Sequence, residues 1–279
     1  MGIKQTIKVV LWAAGIVAVA AQADTSKFSG LPGDPGLKSA SAMVVDDSGN
    51  LIYGKDVDTV RPIASITKLM TAMVILDAGL PLDEKITITK EDRDLIRLTG
   101  SRLEYGASLS RREMILLSIM SSENRAATAL GRTYPGGMDN FLAHMNRKAS
   151  ALGMSNSHFA DPAGLKAENV STAADLAKMA VAAEQYPLIR EASTTTRMDV
   201  YPYKGRGNLT YGNTNRLLKN ASWDIELSKT GYINEAGRCL VMQANIEGED
   251  VSIVLLNSFG KLTPFGDSNR LRKWMLANS

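Results

Sequence analysis

The chain is poor in the residues that most metal, redox and disulfide chemistry requires. Of 279 residues one is cysteine, Cys239, and two are histidine, His144 and His158. A single cysteine excludes an intrachain disulfide and leaves no lipoprotein attachment site behind the leader. The two histidines are not spaced as a helical ligand pair, so metal catalysis has little support and neither metal nor cofactor is expected. Cys239 stands among Leu240, Val241 and Met242, which reads as a buried structural thiol rather than a nucleophile. Charge is nearly balanced, 32 basic against 29 acidic residues. No Lys/Arg run, aromatic-basic interleaving or glycine-rich phosphate loop appears, so nothing points to nucleic acid. The N-terminal apolar run, Val9 to Ala21, is shorter than the ~18 residues a spanning helix needs. Following Lys4 and Lys8 and preceding Ala21-Gln22-Ala23, it reads as a signal peptide over residues 1–23 with a small-x-small cleavage site. Its removal leaves no membrane-spanning segment.

What the chain does have is organised around Arg61-Pro62-Ile63-Ala64-Ser65-Ile66-Thr67-Lys68-Leu69-Met70. Pro62 restricts the backbone, so a helix is expected after it, running without a breaker to Gly79. Ser65 and Lys68 then share one face of its first turn. A serine hydroxyl becomes a useful nucleophile when a nearby base takes its proton, and a lysine of lowered pKa can be that base. A lone Ser-x-x-Lys is ordinarily an N-cap beside a solvated lysine. Ser258/Lys261 repeats the spacing, but after a strand-like stretch and before Gly260 and Pro264, with no helix to hold the pair. The Ser65 helix is apolar nearly all round, and a polar pair at the tip of a buried helix points to a cleft.

In chain order, residues 24–38 are a flexible leader rich in Gly and Pro, and residues 39–279 form one domain. Ser41–Val45 and Leu51–Tyr53 flank a turn and predict a hairpin. Helical signals dominate from about residue 80 to 192, a helical subdomain. Ser110 and Glu113 form a capping box before Met114–Met120. Ser121–Asn124 interrupts, a new helix runs from Arg125 toward Thr133, and another covers Met138–Leu152. A loop at Asp161–Gly164 precedes a helix begun by Ser171 or Thr172 and running through Gln185. Strands are expected at Leu227–Tyr232, Arg238–Ile246 and Val251–Leu256. A last helix, about Asp267–Ala277, places Leu271, Trp274 and Met275 on one stripe, better explained by covering a sheet than by a membrane surface. Strands at both ends with helices between predict one antiparallel sheet, a helical subdomain beside it and a cleft between them.

Three polar groupings stand out in order: Ser65-x-x-Lys68, Ser122-x-Asn124 and Lys229-Thr230-Gly231. Each is common alone; the ordered set at a helix tip, a helix junction and an inner strand is specific. With it the chain resembles the penicillin-recognising serine hydrolases, and more closely the D-alanyl-D-alanine peptidases of the low-molecular-mass penicillin-binding proteins. Arg61–Met73, Leu80–Lys85, Met120–Ala127 and Lys229–Tyr232 resemble the endopeptidases of that family, and the likeness extends over the mature chain from about Ser39.

The resemblance implies the β-lactamase/transpeptidase-like fold, of α/β (α+β) class, and a periplasmic enzyme that cleaves D-alanyl cross-links between peptidoglycan stem peptides and is acylated by β-lactams. Carried onto these positions, Ser65 is the nucleophile and Lys68 its base, neutral because burial and Lys229 disfavour its charge. Ser122 relays a proton to the leaving amine, and Asn124 holds the substrate amide and Lys68. Lys229 and Thr230 bind a carboxylate, Gly231 lets the ligand lie along the strand, and the backbone N–H groups of Ser65 and Tyr232 form the oxyanion hole.

Two departures sharpen the expectation. Class A β-lactamases carry a Glu-x-x-x-Asn that supplies the hydrolytic water, whereas Glu168-Asn169 is adjacent and wrongly spaced, so penicillin is expected to acylate Ser65 and stay. Carboxypeptidase relatives usually continue into a second β-rich domain and a membrane-surface helix; this chain stops at Ser279, which favours endopeptidase over carboxypeptidase. A carboxypeptidase would need an Arg or Lys for the terminal carboxylate, with Lys261 as a candidate. A non-catalytic penicillin- or peptidoglycan-binding module would keep the fold without the three groupings intact. Tyr201, Tyr203 and Tyr211 either rim the groove or pack in loops.

Overall fold

Asp46 turns the first hairpin. Its carboxylate accepts from the backbone and the side-chain amide of Asn50 at 2.7 and 3.0 Å, joining β1 (Ser41–Asp46) to β2 (Leu51–Lys55). The computed structural model describes residues 26–279; the signal peptide read at residues 1–23 lies outside them.

Beyond the hairpin comes β3 (Arg61–Pro62), then a 3-10 turn over Ala64–Ile66 and α1 (Thr67–Asp77). Ser65 therefore stands in the tight turn ahead of the α-helix rather than in its first turn. The cause is local: Ala64 has φ +49°, in the left-handed region, and the chain winds into the helix only after it. α1 is buried from Thr67 to Ile75, the wrapping expected of a helix apolar on all sides.

Two short strands, β4 (Lys85–Thr87) and β5 (Ser108–Ser110), pair antiparallel beneath the helical layer. The Ser110 hydroxyl and Glu113 carboxylate cap α2 (Arg111–Met120) reciprocally. α3 (Asn124–Arg132) starts at the interruption the sequence predicts, with Glu123 as its cap. α4 (Gly137–Ala151) follows, then β6 (Val170–Ser171), which pairs with β3, and α5 (Ala173–Glu184), capped by Thr172. A separate α6 (Pro187–Thr194) departs from the sequence reading; Pro187 breaks the preceding helix and seeds a new one at its first position.

A hairpin of β7 (Arg197–Val200) and β8 (Leu209–Gly212) leads to β9 (Asp224–Ile233), β10 (Gly237–Ile246) and β11 (Glu249–Ser258). The main sheet has the order β2-β1-β11-β10-β9, antiparallel throughout, so the first hairpin joins the C-terminal strands as expected. α7 (Thr263–Asn278) begins earlier than Asp267 because Pro264 suits a first helical turn.

The sheet is buried on both faces. Leu227, Val241, Val254 and Leu256 pack with the helices. Leu240, Met242, Ile253 and Leu255 pack under Leu271, Trp274 and Met275, so the stripe on α7 covers the sheet. Residues 26–38 are mostly exposed but are anchored by Phe28 and Leu37, both buried in this second cluster. The Trp274 indole donates to the Pro32 carbonyl at 2.8 Å, and Asp267 accepts from the backbone of Lys38 and Ser39. One aromatic and one buried carboxylate thus hold the segment read as a flexible leader against the sheet and α7. β9 forms the sheet edge facing the Ser65 turn.

Candidate active site

Two glycines let the walls close on Ser65. A Cβ at Gly231 on β9 would stand 2.9 Å from the Ile63 carbonyl oxygen and 3.2 Å from the Ser65 nitrogen. At Gly164, whose φ is +74°, it would stand 2.0 Å from the Ala64 carbonyl oxygen. The loop carrying Gly164 is wound around Asp161, whose carboxylate accepts from the N–H groups of Ala163, Gly164, Leu165 and Lys166. Asn169, buried, donates to the same carboxylate. These bonds aim the Ala163 carbonyl inward.

Lys68 is fully buried, and its Nζ has three partners: Ser65 Oγ at 2.9 Å, Asn124 Oδ1 at 2.8 Å and the Ala163 carbonyl at 2.6 Å. Two of these can only accept. The third is a hydroxyl that can donate. A neutral amine has two N–H donors and one lone pair, which this set matches when Ser65 donates. Burial pushes Lys68 down to about 8, against the opposing pull of Asp161, Glu123 and Asp94. Lys229, equally buried, is pushed well below its ordinary value by burial and then by the charge of Lys68. Burial therefore dominates for both lysines.

Lys229 donates to Ser122 Oγ at 2.9 Å and to the Thr230 carbonyl at 2.9 Å. Ser122 holds φ +60° between α2 and α3, a conformation that costs a non-glycine residue about 1 kcal/mol. Asn124 donates to Thr99 at 2.9 Å, and Thr99 donates to Asp94 at 2.7 Å, so the amide is locked with its oxygen toward Lys68. The Thr230 and Thr214 hydroxyls are 2.7 Å apart. Tyr232 is half exposed, with the Arg238 guanidinium 3.7 Å from its ring centroid.

Ser65, Ser122, Asn124, Thr230, Gly231 and Tyr232 line one cleft of about 370 Å³, and Lys68 and Lys229 lie buried behind its wall. All eight residues singled out in the sequence meet there. Lys261 also lines it, together with Thr214, Arg216 and Arg238, which the sequence reading missed. Their only signal was basic or hydroxyl side chains in segments read as loop or strand end. Cys239 is buried and its thiol is pushed up to about 11 by burial, as befits an inert thiol. Ser258 is buried against the Ser39 hydroxyl and, among the described residues, has no lysine partner. Tyr203 bonds Glu104 and Arg102, Tyr211 is buried under Arg102, and neither lines the cleft. Among the described residues no group of His, Cys, Asp and Glu side chains converges as a metal site.

Residues 30–260 match the model of the family described as D-alanyl-D-alanine carboxypeptidase, peptidase family S11. The chain belongs to that family. This S11 chain is 48% identical over 260 residues to a D-alanyl-D-alanine endopeptidase of Pseudomonas aeruginosa, covering 93% of the chain and 84% of that protein. Its structure resembles the crystal structure of the Streptomyces K15 DD-transpeptidase, with TM-score 0.81 and 29% identity over 88% of this chain and all of the other. A cefotaxime-bound penicillin-binding protein D2 from Listeria monocytogenes is similar at TM-score 0.75 and 27% identity, covering 88% of this chain and 100% of that one. The β-lactamase/transpeptidase-like fold expected from the motifs is the fold of this S11 peptidase.

Proposed function

We propose that the chain is a serine DD-endopeptidase that hydrolyses D-alanyl cross-links of peptidoglycan through an acyl-enzyme on Ser65. One observation carries the reading: the buried Lys68 Nζ lies 2.9 Å from Ser65 Oγ and its two other partners, the Asn124 and Ala163 oxygens, can only accept, so the lone pair of the neutral amine is left for the Ser65 proton. Ser65 Oγ attacks the D-alanyl carbonyl while its proton passes to Lys68. The oxyanion is held by the backbone N–H groups of Ser65 and Tyr232. The C–N bond breaks as Ser122, hydrogen-bonded to Lys229, relays to the leaving nitrogen the proton that Lys68 took from Ser65, so that Lys68 is neutral again for the next half-reaction. Asn124 orients the substrate amide, and Lys229 with Thr230 binds a carboxylate on the leaving side. The open edge of β9 at Gly231 accepts the substrate as an added strand. Water then hydrolyses the ester, with Lys68 as base.

β-Lactams enter the same path and form a lasting ester, because neither Glu168 nor Asn169 lines the cleft where a second base would prime water. The N-terminal signal reading places the enzyme in the periplasm. The name of the 48% identical Pseudomonas relative supports endopeptidase over carboxypeptidase action. The test is chromatography of cross-linked dimer muropeptides and monomeric pentapeptide after incubation with the mature protein, with Ser65→Ala as control. Dimers falling to monomers with pentapeptide largely intact is the expected result. D-Alanine released from pentapeptide with dimers intact would make the enzyme a carboxypeptidase, and unchanged dimers and pentapeptide with no penicillin uptake would leave a binding module.

A further inference from the structure

Past Tyr232 the sheet and the helical subdomain are joined by an ion pair that the chemistry above does not use. Thr230 serves the leaving side and the Tyr232 N–H the oxyanion. The continuation of β9 past Tyr232, the last of its residues to line the cleft, therefore runs along the acyl half of a bound strand. β9 ends at Ile233, and Glu235 stands in the turn to β10. There the Glu235 carboxylate meets the Arg97 guanidinium at 2.8 Å. Arg97 comes from the segment between β4 and β5, so the pair ties the helical subdomain to the sheet.

Arg97 is built into place. Its Nε donates to the Leu165 carbonyl at 2.6 Å, in the loop wound around Asp161, and its backbone N–H donates to the buried Asp94 carboxylate at 2.9 Å. The same carboxylate holds Thr99, which bonds Asn124, so the arginine is fixed to the frame that orients Lys68. Glu235 is held less firmly: its side chain is 48% exposed against 19% for Arg97, and Arg97 is its one side-chain partner among the described residues. A half-exposed ion pair contributes little, so either member exchanges its partner at small cost. The guanidinium also carries more N–H donors than Leu165 and Glu235 take up. A ligand group with a carboxylate and an ammonium on one carbon satisfies both sides at once, its carboxylate on Arg97 and its ammonium on Glu235. A carboxylate alone meets repulsion from Glu235, and an ammonium alone meets it from Arg97. Ile96 and Leu98, the sequence neighbours of Arg97, are 55% and 69% exposed and suit the hydrocarbon arm that carries such a head.

We propose that Arg97 and Glu235 form a subsite for the acyl half of the substrate, selecting a stem whose residue before the D-alanyl group is a diamino acid with a free amino-carboxylate head on its side chain. The proposal rests on the acyl-enzyme reading of Ser65 and is independent of which amine leaves. Its test offers the mature chain cross-linked dimers and monomeric pentapeptides with that head free, amidated at its carboxylate or acetylated at its amine, the leaving half staying the same within each set. The wild type is expected to cleave the free-head substrate with about 10-fold higher kcat/KM than either modified one, through KM. In Arg97→Ala the penalty for amidation disappears, and in Glu235→Gln the penalty for acetylation disappears. Labelled penicillin counts the competent sites in each preparation. Should Arg97→Ala fold poorly, Glu235→Gln, at an exposed position, and the acetylated substrate carry the same comparison. A wild type that cleaves all three heads alike overturns the subsite, as does a variant whose loss is equal on every substrate, the signature of a strut between the two subdomains. Intact dimers with cleaved pentapeptides overturn the endopeptidase reading alone, and the three heads then decide the subsite on the pentapeptides. A wild type that cleaves neither overturns both.

Discussion

Gly164 lies against the Ala64 carbonyl so closely that a methyl group there would sit 2.0 Å from the oxygen. The two belong to different segments, the Asp161 loop and the turn that presents Ser65. Gly164 also adopts φ +74°, so alanine there meets both backbone strain and a collision with backbone atoms. Gly164→Ala should displace the Ser65 turn or the Ala163 carbonyl that Lys68 requires. The expected outcome is a fall of at least about 100-fold in the acylation rate by labelled penicillin, with far-UV circular dichroism retained. Wild-type acylation would refute the coupling of loop and turn.

This contact also explains a limit of reading the sequence. The capping residues Ser110 with Glu113, and Thr172 with Asp175, are local signals, and their helices begin where those residues say. Ser65 and Lys68 were legible for the same reason. The 3-10 turn was not, because Ala64 is driven to positive φ in a setting of distant neighbours, Gly164 and Gly231. Lys261 could be named but not placed, since its position depends on where β11 ends. Arg216 and Arg238 carry no local signature at all; the sheet edge and the turn after β8 bring them to the cleft. The packing of Phe28 escaped because neighbouring Gly and Pro dominate the local composition.

The titration of Lys68 sets a pH dependence. Its pKa is lowered to about 8 from 10.5, so the amine is mostly protonated below pH 8 and neutral above it. A base works only in its neutral form, so the acylation rate should rise about tenfold per pH unit below 8 and level off above it. The same shift bears on stability. The unfolded chain holds the proton more tightly, so stability rises with pH between about 8 and 10.5 and this contribution is lost below the folded pKa. Stopped-flow acylation across pH 6 to 9.5 measures the first effect, and a flat profile would remove Lys68 as the base.

Phe28 tests the leader independently of the chemistry. Its side chain is fully buried with Trp274 and Leu271 on the far side of the sheet from Ser65. Phe28→Ala should cost about 3–5 kcal/mol of stability, read from denaturant unfolding. Penicillin acylation at a temperature where the variant is folded should stay near wild type. Unchanged stability would mean that residues 26–38 do not belong to the folded unit.

Ser122 separates backbone strain from side-chain chemistry. It holds φ +60° and its hydroxyl accepts from Lys229 at 2.9 Å, so a strained backbone and a site hydroxyl coincide at one residue. Ser122→Ala keeps the strain and removes the hydroxyl, while Ser122→Gly removes both. Each should lower dimer cleavage by roughly 100-fold or more, the size typical of a lost proton relay. Their stabilities should differ in the opposite sense, with glycine more stable than alanine by about 1 kcal/mol because it adopts positive φ without a steric penalty. Paired measurement of unfolding and cleavage decides the matter. If glycine restores activity that alanine lacks, the backbone conformation rather than the hydroxyl carries the function of this position.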